Sequence, residues 1–219
     1  MTTIILSIFG WEQLKKIPLP AWKWVVFTGF FGTFFPSYLF AFAETVIDSS
    51  VAAVLNGMTP LFTLILGITV FGSELKWGKV IGVLIGFGGT LILVSNEFSI
   101  NTGSESWYAL LVVIAAFCYS INVNVIKHKL QGVSALGIAL GNFLAIVIPA
   151  IFILFLSDFP WLSIGSDSSV TNSLGYIFIL AFFGTAIAKV MFNELVSISS
   201  PVFSISITYL LPIVAIGWG

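Results

Sequence analysis

The sequence predicts an all-α polytopic membrane protein built on an inverted repeat, and three observations predict it. Of 219 residues, 58% are hydrophobic and 8% charged, with 22 Phe and no Arg, whereas a soluble domain needs far more polar surface. Apolar stretches of roughly 18 residues or more recur, each long enough to cross a hydrocarbon core about 30 Å thick as a helix. The chain also writes one segment twice. FFGTFFPSYLFAFAETVIDSSVAAVLNGMTP over 30–60 returns as FFGTAIAKVMFNELVSISSPVFSISITYLLP over 182–212. A constant shift of 152 residues aligns Phe30, Phe31, Gly32, Thr33, Phe40 and Pro60 with Phe182, Phe183, Gly184, Thr185, Phe192 and Pro212 without a gap. Both copies follow one plan: an aromatic and Gly-Thr opening, an apolar span, a short polar break, and a second span with Pro at the same depth.

Taken in order, MTTIILSIFGWEQLKKIPLP reads as the tail of an apolar helix entering a basic loop, too short to span. Seven spans follow, over about 22–43, 49–71, 77–95, 107–126, 134–156, 174–194 and 200 to the end. Short cytoplasmic loops carry the Lys/Arg excess of a membrane protein. Here Lys15, Lys16, Lys23, Lys76, Lys79, Lys127 and Lys129 fall on one side, while Glu44, Asp48, Glu97, Glu105, Asp158 and Asp167 fall on the other. The lysine-bearing loops are therefore expected in the cytoplasm, which makes the cell (plasma or inner) membrane the expected location.

The first copy begins in the first span and the second copy in the sixth, five crossings later. An odd number of crossings reverses the direction of matching helices, so the repeats are inverted and each unit has five helices. Inverted units of this kind are common in secondary transporters, with the substrate site near the midplane between them. The period places residues 1–95 in the C-terminal part of a first unit, as helices three to five with the tail of the second. Residues 96–106 form a linker, and 107–219 supply helices six to nine of a second unit whose tenth helix is missing. A longer reading frame is the expectation.

Residues 40–94, FAFAETVIDSSVAAVLNGMTPLFTLILGITVFGSELKWGKVIGVLIGFGGTLILV, with Gly72, Glu74, Gly82 and Gly89 at the Gly-x-Glu and glycine-stripe positions, resemble the EamA branch of the drug/metabolite transporter superfamily. SWYALLVVIAAFCYSINVNVIKHKL and the stretch from Phe182 resemble it again. The resemblance implies a ten-helix fold of two inverted five-helix repeats, of which about seven transmembrane helices are present. It also implies export or exchange of small metabolites, often amino acids or their analogues, through a cavity lined by the first, third and fourth helices of each unit.

Candidate cavity residues come from polar or strained positions inside spans. Pro60 and Pro212 sit at equivalent depth, where Pro removes a backbone hydrogen bond and frees a carbonyl that a neighbour or a substrate must satisfy. Pro36 and Pro149 lack repeat partners and read as ordinary kinks. Asn56 and Thr208 are repeat partners, each four residues before its proline. Tyr38, Tyr119 and Asn122 are further polar candidates, although intramembrane amides and hydroxyls also glue helices together. Asn124, Asn142 and Asn193 belong to that group too.

Lys189 is a charge inside a span, and such charges face protein or water. It meets either a substrate carboxylate or, by snorkelling, the cytoplasmic interface, five residues and about 7.5 Å of helix rise away. Gly78, Gly82 and Gly86 form a packing stripe, and Glu74 reads as an end cap or loop anchor beside Lys76 and Lys79.

The net charge of -1 offers no basic patch for nucleic acid. One Cys and one His, Cys118 and the loop-surface His128, cannot supply a metal cluster or a nucleophile and base. No enzyme activity, metal or cofactor is expected. The partners expected are the lipid bilayer and a small metabolite, and the alternative to transport is a truncated or degenerate chain with a structural or interaction role.

Overall fold

A computed structural model describes residues 1–94, 105–157, 159, 168–211 and 214. Pro212, Glu97, Asp158, Asp167 and most of the linker expected over 96–106 lie outside the described residues.

Among the described residues all regular structure is helical. In chain order the helices are α1 (Thr2–Lys15), α2 (Leu19–Ala43), α3 (Ser49–Asn56), α4 (Thr59–Thr69), α5 (Trp77–Val94), α6 (Glu105–Lys129), α7 (Ala135–Leu156), α8 (Ser168–Ile198) and α9 (Pro201–Leu210). Five segments are long and apolar enough to cross a membrane, with α3 and α4 together making one of them, and α5 and α9 are shorter apolar helices. The seven predicted spans therefore all have helical counterparts. The N-terminal piece is a 14-residue helix, too short to span a bilayer.

The bundle is built around α6, which packs on α2, α3, α4, α8 and α9. Val112, Ala115, Ala116, Ser120 and Val123 are fully buried along it, and the run of small residues lets neighbouring backbones approach. A second seam joins α1 to α7, where Ile5 and Leu6 meet Ala139, Leu140 and Phe143. Apolar side chains on the outer faces, among them Ile81, Ile85 and Ile92 on α5, are exposed on the bundle surface, as lipid-facing positions are.

Close approach explains several of the glycines. At Gly29 a Cβ would stand 2.9 Å from the Asn142 carbonyl oxygen, so only glycine lets α2 lie this close to α7. Asn142 is fully buried there, and Thr28 Oγ1 lies 3.0 Å from its amide. Asn124 holds a second seam, donating from Nδ2 to the Thr63 carbonyl at 3.1 Å and so tying α6 to α4.

The repeat carries its backbone irregularity with it. Inside α2 the ladder widens to π-helical over Phe30–Phe34, and inside α8 over Leu180–Ile187. A shift of 152 residues carries Phe30–Phe34 onto 182–186, within the second π segment. The following span is irregular in both copies as well: α3 and α4 are separated at Gly57 and Met58, and α9 tightens to a 3-10 turn over Ser206–Leu210.

The glycine stripe departs from expectation. Gly86 is set by close approach: the Tyr209 ring packs directly over it, and the Tyr209 hydroxyl donates to the Val83 carbonyl at 3.0 Å, so this glycine does seat a neighbouring helix. Gly78 and Gly82 are exposed, with no described residue within 4 Å of the point where a Cβ would stand. Among the described residues α5 meets α9 at Val83 and Gly86, a turn beyond Gly82.

Candidate functional site

Proline chemistry builds the centre of the molecule. An α-helix would bond the Gly32 carbonyl to the N–H of residue 36, but residue 36 is proline and has none. That carbonyl, near the middle of α2, instead accepts from Lys189 Nζ at 3.0 Å. The ammonium comes from α8, just beyond its own π segment, so the bond joins the two copies of the repeat. Snorkelling does not describe this side chain. α8 continues nine residues past Lys189 to Ile198, about 13.5 Å of rise, and the ammonium ends on a carbonyl in mid-span.

Asn122 of α6 closes the same place from the other side. It is 2% exposed, and its amide lies against Gly32 so tightly that a Cβ there would overlap it. Its Oδ1 is buried and has no hydrogen-bond partner among the described residues, and the same holds for the Thr33 hydroxyl, one residue on from Gly32. Lys189 forms no ion pair among the described residues. Gly32, Asn122 and Lys189 thus make a polar cluster in the middle of apolar helices, with Thr33 the next residue of α2 after Gly32. Lys189 and Asn122 came out of the sequence; Gly32 and Pro36 were missed, and the missing N–H of Pro36 was the signal that could have found them.

The second proline acts in the same way over a shorter range. Pro60 leaves the Asn56 carbonyl without its α-helical donor, and the neighbouring Thr59 hydroxyl takes it at 2.6 Å while lying 3.1 Å from Asn56 Oδ1. Asn56 and Thr59 are both buried. In the other copy the Thr208 hydroxyl donates back to the Ile205 carbonyl at 2.9 Å. The freed Asn56 carbonyl is therefore satisfied by its own chain.

Remaining candidates lie along the aromatic face of α2. Tyr38 stands edge-on to Phe34 at 5.0 Å between ring centres, and Tyr119 of α6 lies 6.2 Å from Phe40. Of the two readings of Glu74, the loop one fits: it is exposed before α5 and reaches Lys76 at 4.0 Å, a solvent-screened pair. One peripheral expectation needs correction. His128 is not loop surface: it sits in the last turn of α6, with Nε2 3.3 Å from Ser73 Oγ and its ring stacked on Phe71. Gly72, at φ +65°, makes the left-handed turn that brings Phe71 and Ser73 to it.

Three of the lysines meet at one end. Lys23 and Lys129 both stand over the Trp24 ring, at 5.3 and 5.6 Å, and Lys127 Nζ donates to the Ser197 carbonyl in the last turn of α8 at 2.7 Å. A groove of about 920 Å³ opens beside that end between α7 and α8, walled by Leu136, Met191, Leu195 and Ile198 with Gln13 and Glu194. None of the described candidate residues lines it, and its apolar walls suit lipid or another helix better than a polar solute.

Comparison with known families decides what kind of bundle this is. The model of the EamA-like transporter family matches residues 1–95 and 106–219. The chain belongs to that family. It is accordingly a multi-pass membrane transporter with the inverted-repeat EamA fold, acting on small molecules from within a lipid bilayer. It is also similar to a protein of known crystal structure, with a TM-score of 0.74 at 16% identity over 100% of this chain and 76% of the other; at that identity the likeness concerns the fold alone. No curated protein matches the chain.

Proposed function

We propose that this EamA-family protein is a secondary transporter that exports or exchanges small polar metabolites, amino acids or their analogues, by alternating access through a central cavity between the two repeats. The observation that carries the reading is the pairing of irregular backbone. Both copies widen to a π turn at matching residues and then break or tighten the next helix ahead of Pro60 or Pro212. Broken helices and π bulges concentrate at functional sites because they expose backbone groups that a regular helix hides.

On this reading residues 1–95 and 107–219 act as the two moving units, with helices 22–43, 49–71, 174–194 and 200 onward around the cavity. Asn122, Lys189, Tyr38 and Tyr119 face the solute, and the segments around Asn56–Pro60 and Thr208–Pro212 let the ends of the cavity open in turn. The end bearing Lys23, Lys127 and Lys129 faces the cytoplasm, following the lysine bias of short loops.

Proteoliposomes preloaded with unlabelled amino acids and offered radiolabelled ones test the proposal. Accelerated exchange over protein-free vesicles is the expected result, with loss of exchange in Asn56→Leu and Thr208→Leu. Unaltered exchange in both variants removes these two residues from the site. No exchange by correctly folded wild-type protein leaves a structural or interaction role as the better reading.

A further inference from the structure

Two apolar hollows join into one groove along α8. The groove of about 920 Å³ beside the end where Lys23, Lys127 and Lys129 meet and a second hollow of about 310 Å³ share Leu136, Val190 and Met191. Their α8 walls include Phe182, Ala186, Val190, Glu194 and Ile198, every fourth residue and so one face of the helix. The facing wall is α1, with Ile5 and Phe9 deep in the groove and Gln13 at its mouth. Just past the deep end, Thr2 Oγ1 meets the Ala181 carbonyl at 3.5 Å and closes the gap between the two helices. From Phe182 to Glu194 the helix rises about 18 Å. That is close to one leaflet, about half of a hydrocarbon core roughly 30 Å thick, whereas a crossing helix needs the whole thickness. A groove of this depth, apolar along its length and open at the interface, has the shape of an acyl chain.

Its mouth carries both signs of charge. Glu194 is exposed there and forms no ion pair among the described residues. Lys15 and Lys16, exposed at the end of α1, follow Gln13 by two and three residues. A carboxylate on one wall and ammoniums at the end of the other complement a headgroup that bears a cation and a phosphate.

We propose that this groove holds an acyl chain of phosphatidylethanolamine from the adjoining leaflet, with the headgroup ammonium on Glu194 and the phosphate toward Lys15 and Lys16. An ammonium offers three N–H donors to a carboxylate. The quaternary amine of phosphatidylcholine has none, and phosphatidylglycerol has no cation at all. Basic residues at the membrane surface attract phosphate headgroups of every kind, so it is the carboxylate that selects among them. The bound chain covers Phe9 and Met191, apolar side chains that are exposed at the groove. Nothing in this assignment depends on transport.

Native mass spectrometry tests this on the delipidated full chain, titrated in detergent with phosphatidylethanolamine, phosphatidylcholine or phosphatidylglycerol of identical acyl chains. It gives an apparent Kd for the first molecule of each lipid bound. Phosphatidylethanolamine should bind at least about fivefold more tightly than either of the others. Glu194→Gln should bring it to the affinity of phosphatidylcholine. Met191→Trp, which fills the stretch that the two hollows share, should weaken all three lipids. Both side chains are exposed, so neither change enters the core. Equal affinities in the wild type, or a preference for phosphatidylglycerol, overturn the proposal. A preference for phosphatidylethanolamine that survives in Glu194→Gln overturns it as well, and so does binding untouched by Met191→Trp. A lipid-free dimer that Met191→Trp dissociates also overturns it, because a second copy of the chain would then cover the groove.

Discussion

Lys189 Nζ donates to the Gly32 carbonyl at 3.0 Å, across 157 residues of sequence and between the two copies of the repeat. The bond exists because Pro36 cannot supply the N–H that a continuous α-helix would place there. Replacing Pro36 by Ala returns that donor and sets up a competition for the carbonyl. Removing Lys189 should therefore matter less in a Pro36→Ala background than in the wild type. Double-mutant cycles of Pro36→Ala with Lys189→Met, read from detergent unfolding midpoints, should give a coupling of about 0.5–3 kcal/mol, the range found for residues sharing one hydrogen-bond network. Strict additivity would mean that the proline does not govern the lysine.

Gly32 is the tightest point in this arrangement, with the Asn122 amide occupying the space of its absent side chain. Gly32→Ala should cost about 1–3 kcal/mol, as overpacking of a filled interior does. Trimming Asn122 to Ala in the same molecule should recover part of that loss, since the amide is what the new methyl meets. Unfolding of the single and double variants in one detergent checks the pair.

The Asn56 carbonyl offers a parallel case at Pro60. Its donor is the buried Thr59 hydroxyl at 2.6 Å, so Thr59→Val keeps the shape and leaves the carbonyl bare. A loss of about 1–3 kcal/mol is expected for a buried acceptor stripped of its donor. Adding Pro60→Ala, which restores a backbone N–H to that carbonyl, should reduce the loss; a full, undiminished penalty in the double variant would assign the role of Thr59 to packing alone.

Much of this architecture was legible because hydropathy and repetition act over tens of residues. The spans and the shift that aligns Phe30 with Phe182 have counterparts in the structure. The finer features depend on single backbone groups, and an apolar stretch looks the same whether its ladder is α or π. Pro36, unmatched in the second copy, read as an ordinary kink, although its effect is exerted four residues earlier on Gly32. Snorkelling seemed open to Lys189 because the predicted span ended at 194, whereas α8 runs to Ile198. His128 looked like loop surface because nothing in the sequence shows that the Gly72 turn folds Phe71 and Ser73 back onto it.

The glycines of α5 separate spacing from contact. Gly78, Gly82 and Gly86 share a four-residue period, and the sequence treats them alike. The structure does not: among the described residues Tyr209 lies over Gly86, while nothing stands over Gly78 and Gly82. Gly86→Leu should displace the Tyr209 ring, break its bond to the Val83 carbonyl and destabilise the bundle by about 1–3 kcal/mol. Gly78→Leu and Gly82→Leu should stay within about 0.5 kcal/mol of the wild type, the range for surface substitutions. Tyr209→Ala combined with Gly86→Leu should cost no more than Tyr209→Ala alone, because the leucine then fills space that the ring has left. If instead Gly82→Leu proves as damaging as Gly86→Leu, α5 must have a neighbour at its Gly82 side in the membrane, and the packing of this helix would need to be redrawn around it.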